Sequence, residues 1–364
     1  MATVQSEQQA QDENKIIDGI EKKHGKTIEQ LILEREKRVK DALELREPDR
    51  VPVMVNAGVF AAHYGGLTAS SMYYDQAAYR EACQKMILDI EPDSSMVVGP
   101  GNSGLVMELI DDRQYKWPGG ALPPDISFQF VEDEYMKADE YDIFLEDPGD
   151  FIMRYYLPRV YGLMAPLPKL PPLKTMIFGG GLQTLIPILT SPEFKAIAET
   201  LIKADAEQTR LRKEGAEFAA KMARFGFPSQ PPAGSIVRFV PFDVISDRLR
   251  GMRGIMLDMF RNPDKLLEAC DRVMDWWIEQ ATPAAPDPRG NPRRAVMPLH
   301  RGSDGFMSDE QFDKFYWPGL EKSILTNIDL GYLASPFWEG IWDDRLERLL
   351  DLPKGKVVFH LEKT

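Results

Sequence analysis

Val296-Met-Pro-Leu-His300, Gly331-Tyr-Leu-Ala-Ser-Pro-Phe-Trp-Glu339 and Lys356-Val-Val-Phe-His360 are three short apolar runs, each ending in a polar side chain. The stretches between them carry helical spacing. After the first run, Ser308-Asp-Glu-Gln311 reads as a capping box, and Phe312, Phe315 and Tyr316 fall on one stripe that predicts a buried helix face. Strands alternating with helices predict a parallel sheet, and in a closed β/α barrel the reactive groups stand at the carboxyl ends of the strands. On that reading His300, Glu339 and His360 converge on one mouth.

The same alternation extends toward the N-terminus. Residues 27–46 repeat apolar positions at helical spacing until Pro48, and Val51-Pro-Val-Met-Val55 then predicts a strand ending at Asn56. A helix from about Gln76 to Leu88 and a strand from Asp93 to Val98 follow, with the loop Gly99-Pro-Gly-Asn-Ser-Gly104 as its exit. Residues 117–172, rich in Pro, Tyr, Asp and Glu, do not fit one repeat and are expected to be an insertion covering the mouth. Thr175-Met-Ile-Phe178 is a further predicted strand, with Gly179-Gly-Gly as its exit. Ser191-Pro192 starts a helical pattern that runs to Gly226, and Ser235–Val240 is β-branched enough to predict the strand before Asp243. Asn262-Pro263 caps another helix. The lead, residues 1–26, is expected to be disordered or helical, and residues 27–364 to form a single barrel domain.

Composition excludes several classes of function. The chain has 364 residues and a formal net charge of −13, so no basic excess exists to neutralise nucleic-acid phosphates or an anionic membrane. No run approaches a bilayer span. Cys83 and Cys270 fall within helical patterns, which fits a reducing cytoplasm. Gly179-Gly-Gly and Gly101-Asn-Ser-Gly104 lack Walker or dinucleotide spacing and read as turns.

The chemistry-bearing residues sit at predicted strand exits. His300 and Arg301 open a polar turn with Asp304, a set suited to acid–base work or anion binding, unless Arg301 simply pairs with Asp304. Glu339 follows Phe337 and Trp338, and a carboxyl group among aromatics has a raised pKa unless a cation such as Arg345 or a metal compensates. His360 and Glu362 alternate on one strand face. With His300 and Glu339, His360 would supply a two-His, one-carboxylate zinc set. Asp243 and Asn56 occupy comparable exits, and His63 lies just beyond the first strand. Ser246-Asp-Arg-Leu-Arg-Gly251 alternates charge and reads as solvated helix.

Arg46-Glu-Pro-Asp-Arg-Val-Pro-Val53, Pro241-Phe-Asp243, Phe306-Met-Ser-Asp-Glu-Gln-Phe312 and Leu352-Pro-Lys-Gly-Lys-Val-Val358, in that order, resemble the uroporphyrinogen decarboxylase superfamily. Gln129-Phe-Val-Glu-Asp-Glu-Tyr-Met136, Asp139-Glu-Tyr-Asp142 and Leu157-Pro-Arg159 resemble its corrinoid-dependent methyltransferase branch. The resemblance implies an α/β fold, a (β/α)8 TIM barrel. About six strands are readable here against the eight of a closed barrel, so the last C-terminal units are expected to be missing from this chain.

Two departures from the family shape the functional expectation. True uroporphyrinogen decarboxylases carry Arg-Gln-Ala-Gly-Arg-Tyr after the first strand, where this chain has Asn56-Ala-Gly-Val-Phe-Ala-Ala-His63. Thiol-directed methyltransferases of the superfamily bind zinc through cysteines, where this chain has Phe337-Trp338-Glu339. The resemblance therefore implies an enzyme that moves a methyl group from a small donor, such as a methoxylated aromatic ether, to the cobalt of a corrinoid carried by a partner protein. Glu339, His300 and Asp243 are the expected catalytic residues. Asn56, His63, Arg301, Phe337 and Trp338 are expected to bind substrate, and Glu339, His300 and His360 to hold zinc if a metal is used. A homodimer is allowed. The alternatives are a decarboxylase or lyase of a small acid, and a non-catalytic barrel that binds a small molecule or corrinoid.

Overall fold

The computed structural model describes residues 2–96, 103–178, 180–228 and 235–362. Val97 and Val98 of the second predicted strand, most of its exit loop and Gly179 lie outside them. The fold is mixed α/β and mostly helical, with a two-stranded parallel pair and a three-stranded parallel sheet among its small sheets. None of the sheets among the described residues closes into a barrel. The chain forms two compact units: Met1–Leu109 with Lys116–Gln129 and Ile202–Pro231, and Ile110–Tyr115 with Phe130–Leu201 and Pro232–Thr364.

The first unit holds the parallel pair β1 (Met54–Asn56) and β2 (Ser94–Met96), with Met54 opposite Ser94. Buried Asp93 fixes the start of that pair. Its carboxylate accepts from the Val53 backbone N–H at 2.8 Å, from Arg50 Nη1 at 2.7 Å and from Arg38 Nη1 at 2.5 Å. Arg38 also grips Asp49 through two bonds of 2.6 Å. The Arg46–Val53 motif is thus a structural buckle. The helix predicted over 27–46 is Ile28–Leu43, started by a capping box between Thr27 and Gln30. Of the disordered and helical readings of the lead, the structure has the second, a helix over Ala2–His24 whose last turn carries Lys22 and Lys23, cations favoured at a helix C-terminus.

In the second unit the three C-terminal runs form one sheet: β3 (Arg294–Leu299), β4 (Leu333–Trp338) and β5 (His360–Leu361), all parallel. Side chains alternate across it. Ala295, Met297, Leu299, Ala334 and Trp338 are fully buried, and all but Ala295 belong to a core that also holds Phe242, Val273, Leu320 and Ile324. The opposite face carries Val296, Pro298, Ser335 and Phe337. The predicted capping box is present at Ser308–Gln311 and leads into a π-helical turn, Phe312–Tyr316, and the helix Trp317–Asp329.

Two predicted strands are absent. Residues 235–240 pair with no strand among the described residues, because the buried side chain of Asn327 takes the place of a neighbour: its Oδ1 accepts from Val237 N–H at 3.1 Å and its Nδ2 donates to Val237 C=O at 2.8 Å. The Thr175–Phe178 segment lies in a 3-10 turn, Leu173–Phe178, where the Thr175 N–H and hydroxyl both donate to Pro172 C=O. A hydroxyl that bonds its own backbone competes with strand pairing. Asn262 does not cap the helix Pro263–Gln280 by its side chain, which donates to Asp258 instead.

Candidate functional site

In the register of β3 and β4, Leu299 stands opposite Trp338, so the next residue of each strand, His300 and Glu339, emerges side by side at the carboxyl end. His300 Nε2 lies 3.9 Å from Glu339 Oε1. The ends of the first two apolar runs thus come together. His360 does not join them; it pairs in register with Phe337, two residues before Glu339. The His360 imidazole is 2.6 Å from Ser335 Oγ, and burial, helped by Arg294, lowers its pKa. Glu362 arrives at the level of Glu339 instead, where its carboxylate accepts from Gly340 N–H at 2.7 Å.

Two aspartates set the position of His300. Asp243, fully buried, accepts from the backbone N–H groups of His300 and Arg301, each at 3.0 Å, and from the Tyr316 hydroxyl at 2.9 Å. Expected as a catalytic group, Asp243 is enclosed and acts through the backbone it clamps. Burial, reinforced by the charge of Asp247, raises its pKa to about 6. Asp247 takes the imidazole: His300 donates from Nδ1 to Asp247 Oδ2 at 2.5 Å. A carboxylate only accepts, so the proton is on Nδ1 in the neutral tautomer and Nε2 faces Glu339.

The electrostatics favour protons at the pair. For His300 the largest single influence is burial, which lowers the pKa, but the Asp247 hydrogen bond and the charges of Asp243, Asp247 and Glu339 outweigh it and the net shift is upward. Glu339 is raised chiefly by burial, against a lowering by His300. Its side chain stays 44 % exposed, and among the described residues its ion pair is with His300 and not with Arg345, which donates to Met307 C=O and faces Asp304. Glu339 therefore keeps an accessible, protonatable oxygen next to an imidazole.

The expected binding residues divide. Phe337 lies on the Glu339 face of β4, partly exposed, and can offer an apolar wall. Trp338 points the other way and is fully buried, its ring centroid 4.6 Å from that of Trp342 in an edge-to-face contact, so it serves the core and not a pocket wall. Arg301 is 8 % exposed and committed: it donates to Ser246 Oγ at 2.9 Å and pairs with Asp247 at 2.9 Å and Glu132 at 2.5 Å, not with Asp304. Asn56, at the end of β1, and His63, whose Nε2 is 2.9 Å from Asp125 Oδ1, belong to the first unit.

Sequence reading missed Asp247. Its alternating-charge stretch reads as solvated helix, yet the π-helical turn Ile245–Arg250 buries Ile245, Ser246, Asp247, Leu249 and Arg250. The signal available was its distance of four residues from Asp243, which lets one short helical segment send two carboxylates to one strand exit. The donor set does not fit a zinc centre. Catalytic zinc takes three protein ligands, whereas His300 and Glu339 are two, His360 is held by Ser335, and among the described residues no group of three His, Cys, Asp or Glu side chains could hold a metal ion. No helix among the described residues is long and apolar enough to cross a membrane. Compared with protein-family models, with curated proteins and with solved structures, the chain matches none of them.

Proposed function

We propose that this chain is a methyltransferase that activates a small methyl donor, a methoxylated aromatic ether, for transfer of its methyl group to a corrinoid carried by a partner protein. The observation that carries the reading is the line Asp247–His300–Glu339 at the ends of two parallel strands, with both proton-bearing groups shifted upward. The finer fold that belongs to it is the (β/α)8 TIM barrel of the uroporphyrinogen decarboxylase type, supported by a parallel sheet with functional residues at its carboxyl end. A cytoplasmic location belongs to the same reading, supported by the buried free thiols of Cys83 and Cys270.

The chemical demand is to make an alkoxide or phenoxide leave. When the partner is docked, the reduced cobalt of its corrinoid supplies the nucleophile that accepts the methyl cation equivalent. Glu339, protonated, gives its proton to the ether oxygen as the methyl–oxygen bond breaks, so the product leaves as an alcohol or phenol. His300, whose charged form Asp247 favours, stabilises the resulting Glu339 carboxylate and returns a proton to it from Nε2. Asp243 keeps the His300 and Arg301 backbone in place, and Phe337 excludes water beside the reacting oxygen. No step is assigned to a metal bound by this chain.

The test is a reconstitution of chain, corrinoid protein and a methoxyarene, following loss of the cobalt(I) spectrum and release of phenol. Stoichiometric demethylation that requires this chain and falls in Glu339→Gln supports the reading. Cobalt(I) loss that is indifferent to the chain, or carboxyl loss without any corrinoid, overturns it.

A further inference from the structure

We infer that Arg248 and Gln114, both in the second unit, form a binding site for the carboxylate of a small molecule. Arg248, on the same π-helical turn as Asp247, is a partly buried guanidinium with neutral partners: Nη1 donates to Gln114 Oε1 at 3.3 Å and Nη2 to the Tyr115 hydroxyl at 3.2 Å, while its centre lies 4.6 Å from the Phe130 ring centroid. Among the described residues no carboxylate forms an ion pair with it. Its neighbours Arg250 and Arg301 each hold two. Asp112 and Asp247 act on Arg248 only through space and are otherwise engaged, Asp112 with the Gln114 backbone N–H at 2.9 Å and Asp247 with His300 and Arg301.

Gln114 supplies a second, independent sign. It is 2 % exposed, and its Oε1 accepts from both Arg248 and the Tyr156 hydroxyl, but its Nε2 has no hydrogen-bond partner among the described residues. Turning the amide over would set an NH2 group against a guanidinium that can only donate, so the orientation is dictated by Arg248. A buried amide donor without a partner is costly. One acceptor-only group satisfies both features, and a planar carboxylate matches the fork of a guanidinium. A single guanidinium beside neutral donors suits a monoanion better than a phosphate dianion. Tyr115 and Phe130, in edge-to-face contact at 5.1 Å, offer aromatic surface for a flat body.

The site is independent of the methyl-transfer reading and is tested by binding alone. Calorimetric titration of the full chain with benzoate is expected to show saturable binding, with benzamide and inorganic phosphate at least about tenfold weaker. Arg248→Gln is expected to lose about tenfold or more in benzoate affinity. Gln114→Glu gives Arg248 a carboxylate of its own, so it is expected to abolish benzoate binding while raising the melting temperature of the free protein. That variant keeps the test open should Arg248→Gln fail to fold. No benzoate binding by the wild-type chain, equal binding of benzamide, or unchanged binding in folded Gln114→Glu each overturns the inference.

Discussion

His300 Nδ1 donates to Asp247 Oδ2 across 2.5 Å, joining the residue that follows β3 to a buried carboxylate on the π-helical turn Ile245–Arg250. The bond fixes the imidazole's tautomer and leaves Nε2 facing Glu339. Asp247→Asn keeps the shape but replaces one carboxylate oxygen with a donor. In that variant the His300 pKa is expected to fall, because the interactions that outweigh its burial are weakened, and demethylation to fall by about 10²-fold or more. Imidazole NMR titration reads the first effect. An unchanged His300 titration curve would show that Asp247 does not control the proton.

The Asp243 clamp predicts a different phenotype. Both of its oxygens are used by backbone donors, so Asp243→Asn turns one N–H toward an amide NH2 group. An unsatisfied buried donor costs about 1–3 kcal/mol. Urea unfolding is therefore expected to show a loss of about that size, together with reduced turnover because the His300 backbone moves. Turnover lost with stability unchanged would give Asp243 a direct chemical role.

How much of this was legible in the sequence depends on the residue. The ends of β3 and β4 were readable because an apolar run of strand length stopped at one polar residue, and parallel strands in register must then present those residues together. His360 failed because the same argument needs the register, which starts β5 only at His360, two residues after Lys356-Val-Val, and matches His360 to Phe337. The strand expected at 235–240 failed because a side chain, Asn327, supplied the hydrogen bonds a neighbouring strand would have made. Trp338 and Phe337 are adjacent and equally aromatic. Only the alternation of the strand, anchored by Glu339 facing His300, tells which one reaches the open face.

That alternation is itself testable. Trp338 is fully buried and its indole N–H has no hydrogen-bond partner among the described residues, so Trp338→Phe removes an unsatisfied donor along with some volume. It is expected to cost much less than Trp338→Ala, for which about 3–5 kcal/mol is typical of a core aromatic. Phe337→Ala is expected to spare stability more and to raise KM for an aromatic donor. Thermal melts and steady-state kinetics on the three variants separate the faces, and a KM effect confined to Trp338 would reverse the assignment.

The pH dependence of stability follows from Asp243 and His300, with the sign worked out for each. Asp243 has a folded pKa of about 6 against an ordinary 3.8, so its contribution is fully present below about pH 4 and is lost as pH rises to about 6, a change of about 3 kcal/mol. The folded pKa of His300 is also raised, from 6.5. Its contribution is present below about pH 6.5 and is lost as pH rises through the higher folded value. The stability gap between wild type and Asp243→Asn should therefore narrow between pH 4 and 6, and the gap to His300→Gln should narrow above pH 6.5. Urea midpoints measured across that range check both, and gaps that widen with pH would mean the two groups are held in the opposite charge states.

Activity should respond to pH through Glu339. Burial raises its pKa, and the proposed step needs the protonated form, so kcat/KM is expected to fall as pH rises past a value above the ordinary carboxylate range. Glu339→Gln is expected to lower kcat by about 10²–10⁴-fold, the usual worth of a general acid, and to erase that falling limb. A donor with an already good leaving group, such as a methyl ether of a nitrophenol, needs less help from a proton. The variant should recover much of its rate with that substrate. Equal losses for both donors would mean that Glu339 binds or orients the ether and gives it no proton, which would move the acid role to His300 Nε2.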